Sequence, residues 1–73
     1  ESFAVVKDDD GVYEVDGPAM QRLIDSVNFE DEESMNWFHR TLRRWGVIDA
    51  LRQAGAGEGD TVRIGDMEFD FVE

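Results

Sequence analysis

Cysteine is absent from this chain, and proline and histidine each occur once among its 73 residues. Without cysteine, neither a disulfide framework nor a thiolate metal site can stabilise the fold, so we expect a cytoplasmic protein without a disulfide-bonded partner. No apolar run approaches the length of a membrane span, and we therefore expect no membrane contact. No cysteine or serine is spaced to form a nucleophile pair with His39, which favours a partly buried helical histidine over a catalytic base. We expect no catalytic residue in this chain.

Basic residues are also scarce, at seven Lys and Arg against 18 Asp and Glu, and the formal net charge is -11. The apolar fraction of 41% nevertheless exceeds what a disordered acidic tail contains, so we expect a single folded domain that is monomeric. So acidic a molecule repels phosphate backbones at long range, which disfavours nonspecific nucleic-acid binding. Four of the seven basic residues lie between residues 34 and 54 with a single acid, so a local basic surface can still meet an anionic partner.

The stretch from Asp31 to Gly55 contains the longest helical pattern of the chain. Asp31 is a suitable N-cap, and Gly46 is expected to end the helix because glycine adopts the left-handed conformation without steric cost. A second helix is predicted from about Val47 to Ala54, with Gly55 as its terminator. The apolar stripe of the first helix comprises Met35, Phe38, Leu42 and Trp45. The predicted buried face of the second comprises Val47, Ala50, Leu51 and Ala54.

Hairpin-like sequence lies on both sides of these helices. Phe3 to Lys7 and Val12 to Val15 favour strands, and the acidic run with Gly11 between them supplies turn chemistry. Thr61 to Ile64 and Met67 to Val72 alternate as half-buried strands do, joined by the turn Gly65-Asp66. This register pairs Ile64 with Met67 and Arg63 with Glu68, so Glu68 is the predicted partner of Arg63.

A short amphipathic helix is predicted between the first hairpin and the central helix. Pro18 suits its first turn, because the missing N–H of proline would be unpaired there anyway. Its stripe comprises Met20, Leu23, Ile24 and Val27. The order is thus ββ-ααα-ββ, which predicts a small α+β domain with a mainly antiparallel sheet of about four strands and helices on one face. The sequence leaves open whether the two hairpins share one sheet.

Two motif-like segments fail as ligand sites. When Gly11 is placed at the glycine position of a calcium-binding EF-hand loop, Val6 and Gly17 fall where acidic ligands belong. The glycine-rich loop from Gly55 to Asp60 has no Lys-Ser or Lys-Thr after it and does not open a helix. It therefore lacks what a phosphate-binding loop needs, and we expect no metal and no cofactor in this chain.

The candidate binding surface lies on the polar side of the central helix. Arg40, Arg43 and Arg44, here called the arginine ridge, share that side because residues three and four apart are neighbours on a helix. Trp37 lies within a turn of Arg40, either packed under a neighbouring element or within a contact surface, where Trp and Arg are enriched. The ridge either balances the acids of the domain or meets an anionic partner. The candidate partner-binding residues are Trp37, Arg40, Arg43 and Arg44.

Several segments together resemble one known family. The run from Gly46 to Leu51, the step Ala54-Gly55-Ala56 and the block from Gly59 to Phe69 closely resemble the C-terminal domain of the Obg, or CgtA-type, GTPases. The opening hairpin that leads into Gly17-Pro18 resembles it too, as does the spacing of Phe38, Leu42 and Gly46. The resemblance covers nearly the whole chain, so we expect residues 1–73 to be one domain cut from a larger GTPase.

The resemblance implies a function for the parent protein. Obg-type GTPases act in assembly of the large ribosomal subunit and in stress and growth control, and they bind GTP and magnesium in a GTPase domain that this chain does not contain. It implies that this chain is a noncatalytic accessory module that contacts the ribosome or a partner protein. The alternative hypothesis is a small-molecule or nucleotide sensor that holds an anion with the Gly55 to Asp60 loop and the arginine ridge.

Overall fold

The computed structural model describes residues 3–72 and contains four strands and three helices within them. The ββ-ααα-ββ order of an α+β domain is confirmed. The elements are β1 (Ala4–Lys7), β2 (Tyr13–Asp16), α1 (Pro18–Ser26), α2 (Glu32–Arg44), α3 (Val47–Gln53), β3 (Thr61–Ile64) and β4 (Met67–Asp70).

The two hairpins share one sheet, in the strand order β1-β2-β3-β4. Both hairpins are antiparallel, and the central pair β2 and β3 is parallel, with Tyr13 opposite Val62 and Glu14 opposite Arg63. The three helices are the crossover between these parallel strands, since a parallel connection needs a long return path. The sheet is thus mixed, with two antiparallel pairings and one parallel pairing.

The register predicted for the second hairpin is confirmed, with Ile64 opposite Met67 and Arg63 opposite Glu68. The final strand is shorter than predicted, because β4 ends at Asp70 rather than Val72. Beyond it, the chain bonds to the glycine-rich loop instead of to β3. The Phe71 N–H donates to the Asp60 carbonyl at 2.7 Å, and the Gly59 N–H donates to the Phe71 carbonyl at 3.0 Å.

Helix α2 begins as the sequence predicts. The Asp31 side chain accepts a hydrogen bond from the Ser34 N–H at 3.2 Å, which is the N-cap contact. Phe38 and Leu42 are fully buried, and Met35 and Trp45 pack against the core as half-buried residues. Thr41 is also buried, and its hydroxyl donates to the Trp37 carbonyl at 2.8 Å, so its polar atom is satisfied within the helix.

Helix α3 follows a left-handed Gly46 with φ of 82°, as predicted. One part of the prediction for α3 is wrong, because Ala54 is exposed and Ile48 is buried in its place. The helix ends at Gln53, so Ala54 is the C-cap and lies beyond the helical turns that carry the buried face. The buried face is centred on Val47, Ile48 and Leu51, which lie on adjacent sides of the first two turns.

The core lies between the helices and one face of the sheet. Tyr13, Val15, Val62 and Ile64 point into it from the two central strands. In α1, Met20 and Leu23 are buried, and Ile24 and Val27 pack at the margin as predicted. Phe38 ties α2 to its surroundings through edge-to-face contacts with Phe29 at 5.8 Å and Phe69 at 5.6 Å between ring centroids.

Candidate functional site

The outer side of α2 carries the arginine ridge. Arg40, Arg43 and Arg44 are all exposed, and within residues 3–72 none of them forms an ion pair. Arg43 and Arg44 occupy the last turn of the helix, where positive charge is favoured by the helix dipole. The dipole therefore stabilises part of the ridge, but the described carboxylates do not neutralise it.

Trp37 lies at the boundary between the ridge and the core. Its side chain is 38% exposed, and within the described part of the chain no aromatic ring or cation stacks on the indole. Residues 37, 40 and 44 follow helical spacing, so the indole and two guanidinium groups lie along one side of α2. The helix presents an open aromatic surface beside unpaired cations. A role for these residues in binding stays a prediction.

Arg43 differs from the other two arginines because it lines a cavity. The cavity measures about 160 Å³, opens to the surface and is lined by His39, Arg43, Ile48 and Val72. His39 is half-buried, as predicted, and its ring centroid lies 5.5 Å from that of Phe38 and 6.0 Å from that of Phe69. Burial, together with the nearby Arg43 charge, lowers the pKa of His39 below its ordinary 6.5, so the imidazole is neutral at pH 7.

Arg63 lies on the sheet face that the helices do not cover, among three carboxylates. Its Nη2 is 2.7 Å from Asp8 Oδ2 and 3.4 Å from Glu14 Oε2, whereas its Nε is 3.8 Å from Glu68 Oε2. The predicted ion pair with Glu68 is present but is the longest of the three, and Asp8, which the sequence did not indicate, accepts the hydrogen bond from Arg63. The parallel pairing of β2 with β3 brings Glu14 and the first hairpin turn to the same end of the sheet as Arg63.

Comparison with known proteins places this fold in a family. A family model described as "Domain of unknown function (DUF1967)" matches residues 3–71. The chain belongs to this family. The DUF1967 domain is also similar to "GTPase Obg" of Acetivibrio thermocellus, at 47% identity over 66 residues, which cover 90% of the chain and 16% of the relative. It is 44% identical over its full length to "GTPase Obg" of Lysinibacillus sphaericus and 45% identical to that of Shouchella clausii, in each case over 17% of the relative.

These matches confirm the resemblance to the Obg C-terminal domain. The DUF1967 domain spans about one sixth of the length of the curated relatives that it matches. Between residues 3 and 72, no helix of the domain is long and apolar enough to cross a membrane.

The glycine-rich loop of the DUF1967 domain uses its own backbone donors. The Gly57 N–H donates to Asp60 Oδ2 at 2.8 Å, and the N–H groups of residues 55, 56, 59 and 60 all donate to backbone carbonyls. A loop whose donors are occupied in this way cannot offer them to a phosphate. Among residues 3–72 there is also no group of three His, Asp or Glu side chains that could hold a metal ion. The five bonded N–H groups of this loop are therefore not available to the phosphates of GTP.

The cavity is the feature that sequence reasoning missed. His39 and Arg43 stand four residues apart, which indicates that they share one side of α2 and could have been noticed. Ile48 comes from the next helix and Val72 from the far end of the chain. No local pattern relates them to α2, so only the fold brings the four residues together.

Proposed function

We propose that this domain is a noncatalytic docking module of an Obg GTPase. Through Trp37 and the arginine ridge, it contacts the large ribosomal subunit or a protein bound to it, and so modulates the GTPase domain. GTP and magnesium belong to that GTPase domain, and subunit assembly and stress and growth control are roles of the whole protein. The relatives named "GTPase Obg" support the parentage.

The observation that carries the proposal is the unpaired arginine ridge. The chain has 18 acidic residues, yet within residues 3–72 none of them pairs with Arg40, Arg43 or Arg44. Like charges at helical spacing repel one another mildly, so a ridge without counter-charges has a small cost in stability. An anionic partner would offset that cost and could also contact the exposed Trp37 beside the ridge. Trp and Arg are enriched among the residues that contribute most of the binding energy at interfaces.

The sensor hypothesis has less support. It required the loop from Gly55 to Asp60 to cradle an anion, and the backbone donors at residues 55, 56, 57, 59 and 60 are already bonded within the chain. The arginine ridge alone offers no enclosed site. Arg40 and Arg44 lie on the open surface beside the cavity that Arg43 lines, and such an open basic surface suits a macromolecule better than a small anion.

Cosedimentation of the parent GTPase with purified large subunits tests the proposal. The triple variant Arg40→Glu, Arg43→Glu and Arg44→Glu should weaken association, most strongly at low salt, where charge attraction is least screened. Its melting temperature should fall little, because the three side chains are exposed and unpaired in the described chain.

The control for net charge reverses three basic residues outside the ridge, Lys7→Glu, Arg22→Glu and Arg52→Glu, and its melting temperature is measured alongside because Lys7 and Arg52 contact Tyr13 and Asp49. It changes the net charge by the same amount and should leave association close to wild type. Equal loss in both triple variants would show that only net charge matters, and normal association of the ridge variant would contradict the proposal. A ridge variant that unfolds would instead show that the arginines balance the acids of the domain itself.

A further inference from the structure

The cavity beside α2 is lined by two polar side chains that have no polar partner among the described residues. Within residues 3–72, the Arg43 guanidinium forms no ion pair, and neither it nor the His39 imidazole forms a hydrogen bond. The other two lining residues are aliphatic, namely Ile48, which is buried, and Val72, which is 55% exposed. The cavity is thus lined by one permanently charged guanidinium, one neutral imidazole and two aliphatic side chains.

This combination of groups selects one kind of ligand. A guanidinium binds a planar carboxylate through two parallel hydrogen bonds, and it stays charged at any physiological pH. The neutral imidazole adds one donor and one acceptor. A phosphate dianion would bring a second negative charge that no further described cation in the cavity wall neutralises, whereas a monoanion is fully matched by Arg43.

We propose that this cavity binds an aliphatic carboxylate, with the carboxylate on Arg43 and the hydrocarbon part against Ile48 and Val72. The volume of about 160 Å³ suits such a ligand. An apolar protein cavity of roughly 150 Å³ accommodates benzene, which has six non-hydrogen atoms, and isobutyrate has the same number. The ligand is either a free short-chain acid or the terminal carboxylate of a peptide with an aliphatic last residue. This site shares only Arg43 with the docking contact and does not depend on it.

An NMR titration of the chain tests the site with isobutyrate as the probe. Saturable amide shifts should concentrate at His39, Arg43, Ile48 and Val72, in the millimolar range expected for so small a ligand. The neutral isostere isobutyramide should bind at least about tenfold more weakly, because it lacks the charge. Inorganic phosphate should also bind more weakly than isobutyrate, because it has no hydrocarbon part to pack against Ile48 and Val72.

Two arginine variants separate the cavity from general charge. Arg43→Gln should abolish saturable binding of isobutyrate, and Arg44→Gln, one residue along α2 and outside the cavity, should retain it. Peptides ending in valine, with a free or an amidated terminus, distinguish the sources. Tighter binding of the free-terminus peptide than of isobutyrate indicates a protein partner, and tighter binding of isobutyrate indicates a small acid.

The proposal is overturned by the absence of saturable shifts up to about 50 mM isobutyrate, by equal binding of isobutyrate and isobutyramide, or by equal loss of isobutyrate binding in the two arginine variants. Phosphate binding as tightly as isobutyrate would also overturn it, since the cavity would then be only a site of positive charge. The titration uses no ribosome, so its result does not depend on whether the docking proposal is correct.

Discussion

At the scale of single residues, Arg63 joins parts of the described chain that lie far apart in the sequence. Its guanidinium lies among carboxylates from the first hairpin turn, β2 and β4. Its hydrogen bond to Asp8 spans 55 positions of sequence. Arg63 therefore helps to fix the two hairpins relative to each other, and its charge is unavailable to a partner, unlike the charges of the arginine ridge.

Asp8 gives this contact a measurable dependence on pH. The N–H of Val12, and then the Arg63 guanidinium, hold the pKa of the Asp8 carboxyl below its ordinary 3.8. The ionised carboxylate therefore stabilises the fold fully above pH 3.8, and this contribution is lost as the pH falls through the lower pKa of the folded state. Asp8→Asn should lower the urea midpoint at neutral pH, and its midpoint should converge on that of the wild type in acid.

Asp9→Asn is the control for this prediction. Asp9 belongs to the same turn, is exposed, and makes no contact with Arg63. It should leave the midpoint unchanged across the same pH range. If the difference in urea midpoint between Asp8→Asn and the wild type stays constant down to strong acid, the charge of the Asp8 carboxylate does not stabilise the fold.

At the scale of elements, the bend between α2 and α3 depends on Gly46. Its φ of 82° is left-handed, and a Cβ added there would meet no atom within 4 Å. Any cost of substitution therefore comes from the backbone conformation itself and not from a clash. Gly46→Val should lower the free energy of unfolding by more than about 1 kcal/mol, because a β-branched residue is strongly disfavoured at positive φ.

Urea denaturation of Gly46→Val and Gly57→Ala would check this. Gly57 does not have a positive φ, and its added Cβ would only touch Asp60 Oδ2 at 3.9 Å, so Gly57→Ala should be nearly neutral. If the midpoint of Gly46→Val equals that of the wild type, the bend does not require a left-handed residue at this position.

The elements with local signals could be predicted from the sequence. The two-residue turn Gly65-Asp66 and strict alternation set the register of β3 with β4, and Asp31 and Gly46 bounded α2. These features depend on residues within a few positions of one another. The polar side of α2 also follows from residues three and four positions apart and requires no tertiary contact.

The features that depend on tertiary contacts could not be predicted. The parallel pairing of β2 with β3 joins segments separated by the three helices, and no pattern in the sequence of either strand identifies the other as its neighbour. The Asp8 contact of Arg63 and the Val72 wall of the cavity follow from that pairing and from the chain path after β4. Helical spacing extends the apolar stripe of α3 to Ala54, but it does not show that the helix ends at Gln53.

At the scale of the whole molecule, charge is separated between two sides. The uncovered sheet face carries the exposed side chains of Asp16, Glu68 and Asp70, with Arg63 held among its carboxylates. The arginine ridge lies on a helix of the layer that covers the opposite face. On the docking proposal, an anionic partner would be repelled by the sheet and attracted by α2, so the charge distribution would set the orientation of docking as well as its location.

Hydroxyl-radical footprinting of the parent GTPase, alone and with excess large subunit, tests the docking face most directly. Trp37 on α2 is 38% exposed, and Val6 on the uncovered sheet face is 56% exposed, so both side chains react in the free protein. The two residues serve as internal references for the two sides of the domain. Docking through the arginine ridge predicts that the subunit lowers the oxidation rate of Trp37 several-fold and leaves that of Val6 unchanged. An unchanged rate at Trp37, or equal protection of Val6, would contradict docking through α2.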